Sequence, residues 1–422
     1  MTGFILIMVF TFLLMMLKVP IYIAFILPSF LGILLFLDVP AITIIQSMYS
    51  ALDKFALMAV PYFIFAAEIM SKGGIAQKMV DWAGSIVGRV KGGMGLTTVV
   101  ASNLFGAMSG SSPATVAAMS KIVHPHLKDS YGERFSAGLI TSVGAISLII
   151  PPSIAMILYA ISANVSVGDL FIAGIIPGIV IGLFYLLYII FYVNKNNIEE
   201  KININAKGFW KETKEAVWAL GVPIIVIGGI YSGFFTPTES AAVAAVYSIF
   251  IALFIYREIN VKDVFKIAID SGLLTAKIFI MVAASSFFSY YLSIEQLPQS
   301  LAMWVDQLGM SPIFLLLLIN VLLLFIGMVV EPNSAILIFT PLFFPIISAV
   351  GIDPIHFGII MTVNLAIGMY TPPFGLNIFV ASANLKMSIS KLAPGLVPFI
   401  IVSVVALLVI TLFPALSTFL VQ

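Results

Sequence analysis

The sequence contains no cysteine, three histidines and only 9% charged residues. The missing cysteine excludes disulfides, thiolate metal sites and cysteine nucleophiles, so any chemistry must use oxygen, nitrogen or backbone groups. The scarcity of charge excludes an ordinary soluble domain, in which about 25% of residues are charged. Lysine and arginine number 20 against 19 aspartates and glutamates, a net charge of +1, which offers nucleic acid no basic field. No phosphate loop or nucleotide-binding glycine motif occurs, so ATP is not the evident energy source. No basic segment precedes the first apolar run, and a cleaved signal peptide is not expected.

What the chain has instead is 61% hydrophobic residues in long uncharged runs. A membrane about 30 Å thick takes about 20 such residues per helical crossing. Continuous crossings are expected near residues 3–17, 20–37, 55–72, 168–193, 217–235, 237–257, 275–293 and 392–417. Four runs behave differently. Segments 93–108 and 113–127 are short and meet at Ser109-Gly110-Ser111-Ser112-Pro113, which reads as a re-entrant hairpin. Segments 311–328 and 332–349 meet likewise at Val329-Val330-Glu331-Pro332-Asn333-Ser334. A crossing interrupted by a double proline follows each hairpin, at Pro151-Pro152 and Pro372-Pro373. Proline removes a backbone donor and clashes with the preceding turn, so both crossings are expected to be broken helices.

These features repeat. Phe105 and Met108 match Phe325 and Met328, and Ser162-Ala163-Asn164 match Ser382-Ala383-Asn384, at a shift of 220; the double prolines match at 221. Five crossings separate the hairpins, an odd number, so the second repeat enters from the opposite face. The expected fold is an all-α polytopic membrane protein of inverted repeats, each with a re-entrant helical hairpin and a broken transmembrane helix.

Basic residues in short loops mark the cytoplasmic side. In this topology 19 of the 20 basic residues fall on one side, Lys54 being the exception, while Asp38, Asp169, Glu295, Asp306 and Asp353 mark the other. Both termini are then expected outside. Stretches 74–90, 205–218 and 261–276 mix charge with apolar residues at helical spacing, as helices lying in the interface do.

Non-helical backbone at membrane depth is tolerated only inside protein or along a cavity, and paired broken helices in inverted repeats mark midplane binding sites. Ser109, Ser111 and Ser112 supply hydroxyls, and the half-helix starting at Pro113 offers free amides to an anion; the alternative is small residues that merely permit close packing. Glu331 is the one carboxylate expected deep in hydrocarbon, supporting a cation site or capping half-helix amides. Gly327, Gly368 and Thr371 can turn carbonyls and a hydroxyl to a small hard cation such as sodium. A carboxylate-bearing anion between the tips would meet Ser111, Ser112 and Pro113 on one side and Asn333 and Ser334 on the other.

Thr236-Pro237-Thr238-Glu239 matches a helix capping box. His124-Pro125-His126 falls in a basic cytoplasmic loop without a third metal ligand, and Glu68 is placed to pair with Lys72.

Ser109-Gly110-Ser111-Ser112-Pro113-Ala114-Thr115, Ile150-Pro151-Pro152-Ser153, Thr236-Pro237-Thr238-Glu239, Glu331-Pro332 and Thr371-Pro372-Pro373-Phe374-Gly375 together resemble the large membrane subunit of tripartite ATP-independent periplasmic (TRAP) transporters. The resemblance runs over essentially the whole chain. It implies an elevator-type secondary transporter of the inner membrane of a bacterium or archaeon. It also implies sodium symport, a small four-helix membrane partner and a soluble periplasmic substrate-binding protein. It divides the chain into scaffold (1–92, 168–310, 389–422) and transport domain (93–167, 311–388). One implied sodium site pairs Ser109 and Ser112 with carbonyls near Ser147, Ile150 and Pro152; the other pairs Gly327 with Gly368, Thr371 and Phe374. The first tip is closer to the C4-dicarboxylate branch than to the sialic-acid branch, the alternative being a sugar-acid permease. An intramembrane enzyme lacks a histidine at depth beside Ser109 or Ser111, and an open channel has no use for two occluding hairpins.

Overall fold

Pro20, Pro40, Pro237, Pro312, Pro332 and Pro354 stand at or just before helix starts, where a fixed φ helps and the missing N–H costs nothing. The chain is described by a computed structural model covering residues 2–17, 19–37, 39–88, 90–198 and 208–421. Lys18, Asp38, Arg89 and the stretch 199–207 lie outside the described residues.

The described chain is helical, with no strand. In order it forms α1 (Thr2–Met16), α2 (Ile21–Phe36), α3 (Ala41–Leu52), α4 (Ala59–Lys72), α5 (Ile75–Val87), α6 (Gly93–Ser109), α7 (Ser112–Ile122), α8 (His124–Tyr131), α9 (Glu133–Val143) and α10 (Ile154–Ala163). There follow α11 (Val167–Lys195), α12 (Phe209–Pro223), α13 (Gly229–Tyr231), α14 (Pro237–Phe250), α15 (Val261–Ile294), α16 (Leu297–Gln307), α17 (Pro312–Val329), α18 (Pro332–Ala349), α19 (Pro354–Gly368), α20 (Leu376–Leu385), α21 (Ile389–Leu412) and α22 (Ala415–Thr418). Eight helices among the described residues are long and apolar enough to cross a bilayer. Large apolar side chains on their outer faces, such as Leu318, Leu322, Phe325 and Val329 of α17, are exposed. Such a stripe suits lipid and would aggregate in water.

Both hairpins are present as α6–α7 and α17–α18. The arms of the second are 18 residues each, about 27 Å and so long enough to span. Both broken crossings are also present. In the first, α9 ends in a tight turn at Gly144–Leu148 before α10 resumes; in the second, α19 stops at Gly368 and α20 starts at Leu376. Pro151-Pro152 and Pro372-Pro373 are cis.

Several expectations need correction. Residues 205–207 of stretch 205–218 lie outside the described residues, and the rest of it, like stretch 261–276, is joined directly to the apolar helix that follows. Residues 209–231 and 261–294 are each helical throughout, the first with Pro223 followed by a wide turn at Ile224–Gly228, because the apolar periodicity runs on into the crossing. Only the first arm is a helix of its own, α5, stopped by Gly88; its Lys78 Nζ lies 2.9 Å from Glu215 Oε2 of α12. That hydrogen bond holds the Lys78 amine above the ordinary lysine range. His124-Pro125-His126 is not loop but the first turn of α8, Pro125 being tolerated there. The last crossing ends at Leu412, since Pro414 cannot continue it. Helices α3 and α16 were not anticipated.

Thr236 and Glu239 form the capping box, the Thr236 hydroxyl accepting from Glu239 N at 3.3 Å and Thr236 N donating to Glu239 Oε2 at 2.8 Å. Lys72 Nζ stands 3.1 Å from Glu68 Oε2, as expected of that pair. Among the described residues the core falls into three apolar clusters, the smallest being Ile69, Ala252 and Ile267. A large apolar cluster joins the hairpins, the broken helices and α4, α11 and α21, while a smaller one joins α1, α2 and α15 with Ile338 of α18.

Candidate functional site

At the first tip, α6 ends at Ser109 and the chain turns through Gly110 with φ +53°, a left-handed conformation natural to glycine. A Cβ there would lie 2.8 Å from the Pro152 carbonyl oxygen, so the tip rests directly on the broken helix. Ser111 is the residue before α7, and Pro113 falls in its first turn. The Ser109 hydroxyl is 3.2 Å from Thr115 Oγ1, which donates to Ser111 O at 3.0 Å. Ser147 packs beside the same tip: a Cβ on Gly106 would come 2.7 Å from Ser147 Cα, and the Ser147 hydroxyl donates to Gly144 O at 2.6 Å. The Ile150 side chain turns away, towards Gly178 of α11.

The second repeat makes the same contact 221 residues later. A Cβ on Gly368 would fall 2.4 Å from Gly327 Cα, so the end of α17 and the end of α19 touch backbone to backbone. Thr371 is buried, its hydroxyl donating to Ile367 O at 2.7 Å, while the Phe374 side chain is exposed. The break folds back on itself, Asn377 N donating to Met369 O at 2.9 Å.

Glu331 occupies the position before α18. Its carboxylate accepts from Ser334 N at 3.0 Å, Ser334 Oγ at 3.1 Å and Asn333 Nδ2 at 2.6 Å. It meets no lysine or arginine among the described residues. The donors of Asn333 and Ser334, read from the sequence as facing an anion, are therefore engaged by Glu331 in this conformation. A negative cap at a half-helix N-terminus is favourable by itself.

Two polar constellations had not been singled out. Asn377, fully buried at the start of α20, places its Nδ2 2.7 Å from Ser112 Oγ and 3.2 Å from Thr141 O. It ties the second repeat's break to the first repeat's tip. The sequence signal was an amide in the apolar segment just after a double proline. Further out, Asn364 Nδ2 donates to Asn320 Oδ1 at 2.7 Å and Asn320 Nδ2 to Thr411 at 2.9 Å, joining α19, α17 and α21. Such amides in a bilayer bond helices together. The packing is reciprocal: α7 lies against α20 and α10 against α18, so each hairpin's second arm packs on the other repeat's resumed half-helix.

Residues 7–416 match the family described as "Tripartite ATP-independent periplasmic transporter, DctM component". This chain belongs to that family. The large permease protein of the C4-dicarboxylate TRAP transporter of Pseudomonas aeruginosa is 41% identical over 388 residues, covering 92% of this chain and 91% of that one. The large permease protein of the ectoine TRAP transporter of Halomonas elongata is 39% identical over 385 residues, covering 90% and 89%. The permease also has the fold of the Alcanivorax borkumensis YdaH transporter, with TM-score 0.62, 14% identity, and 87% and 86% of the two chains covered. It is thus a multi-pass TRAP transporter large permease and not an enzyme. Relatives of nearly equal similarity are named for different substrates, so the family alone does not choose one.

Proposed function

We propose that this permease imports a small organic acid anion, a C4-dicarboxylate or similar, in symport with sodium, taking it from a periplasmic binding protein and working beside a small membrane subunit in the inner membrane. The observation that carries the reading is the doubled contact of hairpin tip on broken helix, Gly106 on Ser147 and Gly327 on Gly368, cross-tied by Asn377 and Ser112. Each contact brings backbone and buried hydroxyls together at helix ends, oxygen chemistry that a small hard cation selects. One sodium would lie among Ser109, Ser112, Ser147, Ile150 and Pro152, the other among Gly327, Gly368, Thr371 and Phe374. The anion would lie between the tips, against Ser111, Ser112, Pro113, Asn333 and Ser334. No lysine or arginine reaches the tips among the described residues, so the neighbouring sodium ions supply much of the positive charge, and anion and sodium bind cooperatively.

The packing of each hairpin's second arm on the other repeat's resumed half-helix supports one moving transport domain, residues 93–167 and 311–388, against a scaffold of 1–92, 168–310 and 389–422. The elevator movement would slide the first body along the second.

Ser112→Ala and Thr371→Val each remove one oxygen from a site otherwise made of carbonyls. Losing one such partner costs about 1–3 kcal/mol, roughly a 5- to 150-fold loss in sodium affinity. Proteoliposome uptake with the small subunit and binding protein measures this as a rightward shift in sodium activation; identical sodium curves in both variants would refute the site.

Orientation is tested separately, in a chain that needs no cysteine removed before labelling. With Lys211 cytoplasmic and the C-terminus outside, an impermeant thiol reagent added to whole cells modifies Leu420→Cys and spares Lys211→Cys. The opposite pattern inverts the topology.

A further inference from the structure

A cleft of about 410 Å³ lies between the two bodies, away from the tips. Its scaffold wall is a polar stripe on otherwise apolar α3, Thr43, Gln46, Ser47 and Ser50, facing Ser285, Ser286 and Ser289 of α15. Its other wall is the end of α10 at Ile161 and Ser162 and the middle of α18 at Leu337 and Pro341. Spacings of three and four residues put each stripe on one helix face, and polar faces inside a membrane are costly unless they line water or ligand.

Lys54 lines the cleft. Its Nζ donates to Ile161 O at 3.1 Å, which uses one of three N–H groups, and it makes no ion pair among the described residues. No carboxylate lines the cleft. The side chains of Gln46, Ser50 and Ser289 make no hydrogen bond among the described residues. An ammonium with two free donors, ringed by hydroxyls and an amide and lacking a counter-ion, selects a carboxylate. The volume is within the range of small-ligand sites. Leu337 and Pro341 are about 8 and 14 Å along α18 from its start at Pro332, so the cleft flanks the path from the outer surface to the tips.

We propose that this cleft is an outer antechamber that binds a carboxylate of the organic acid anion through Lys54, with Gln46, Ser50 and Ser289 completing its hydrogen bonds, before the anion reaches the hairpin tips. The proposal rests on the anion-import reading above. Lys54, the single basic residue that the charge topology leaves on the outer side, then has a task. Its bond to the end of α10 lets bound anion bridge scaffold and transport domain.

The test uses the full-length permease with its small subunit and succinate as probe, reading acylation of individual lysines by mass spectrometry. Succinate is expected to protect Lys54 and not exposed Lys262, while neutral succinamide and inorganic sulfate protect neither. Lys54→Met is expected to raise the KM for succinate uptake roughly 10- to 100-fold with little change in maximal rate, and Lys54→Arg to retain native KM. Should Lys54→Met fold poorly, Ser50→Val keeps the bond to Ile161 and is expected to weaken protection of Lys54 by succinate. Unchanged acylation of Lys54 in succinate, or equal protection by sulfate or succinamide, overturns the proposal. Sodium-driven succinate uptake with Lys54 unprotected would sink the antechamber alone. Protection of Lys54 without succinate uptake would leave the antechamber standing and remove the import reading.

Discussion

Gly368→Val is expected to abolish transport, the largest effect on uptake of any single substitution considered, and to lower the thermal stability of the purified protein. The new Cβ would fall 2.3 Å from the Gly327 carbonyl carbon, 2.4 Å from its Cα and 2.6 Å from its oxygen. All three are backbone atoms, so no rotamer change relieves the clash; the second hairpin itself must move off the broken helix. Overpacking costs about 1–3 kcal/mol where side chains can give, and the upper end or more is expected here. Gly272→Ala on α15 is the control, since its Cβ meets nothing within 4 Å. Initial uptake rates and unfolding midpoints of both variants decide the matter: native transport by Gly368→Val would mean that the contact between hairpin and break is not part of the working state.

Asn377→Leu is expected to destabilise by about 2–6 kcal/mol, because it strips a partner from each of two buried groups, Ser112 Oγ and Thr141 O, at about 1–3 kcal/mol each. The diagnostic is a double-mutant cycle with Ser112→Ala. When both polar partners leave together no hydroxyl is orphaned, so the double variant should be more stable than the two single effects predict, by about 0.5–3 kcal/mol. Strict additivity of the unfolding free energies would show that the bond between repeats contributes nothing.

Much of this architecture is local, and local features are legible in a sequence. Tip residues such as Gly110 and Glu331 act within a turn or two of their own position, and a double proline breaks a helix whatever surrounds it. The 220-residue repeat needs no structure to be seen, and the odd number of crossings between its two hairpins supplies the inversion. Helix α3 was missed for a physical reason. It is only 12 residues long and carries Thr43, Gln46, Ser47 and Ser50, so it does not register as a crossing, although the same stripe, read at helical spacing, would have announced a polar cleft. The continuous helices 209–231 and 261–294 were split because charge at one end suggested an interface that the backbone does not mark.

The sequence by itself determined the solvent, most of the long apolar helices, the two hairpins and the two breaks, because burial of apolar residues in lipid and the conformational limits of proline and glycine act over a few residues. Only the tertiary structure decided the partners across repeats: α7 on α20, α10 on α18, Asn377 on Ser112, Lys54 on Ile161. Those pairs join residues from 107 to 265 positions apart, and their choice depends on which helix faces fit at backbone distance. No period along the chain records that fit.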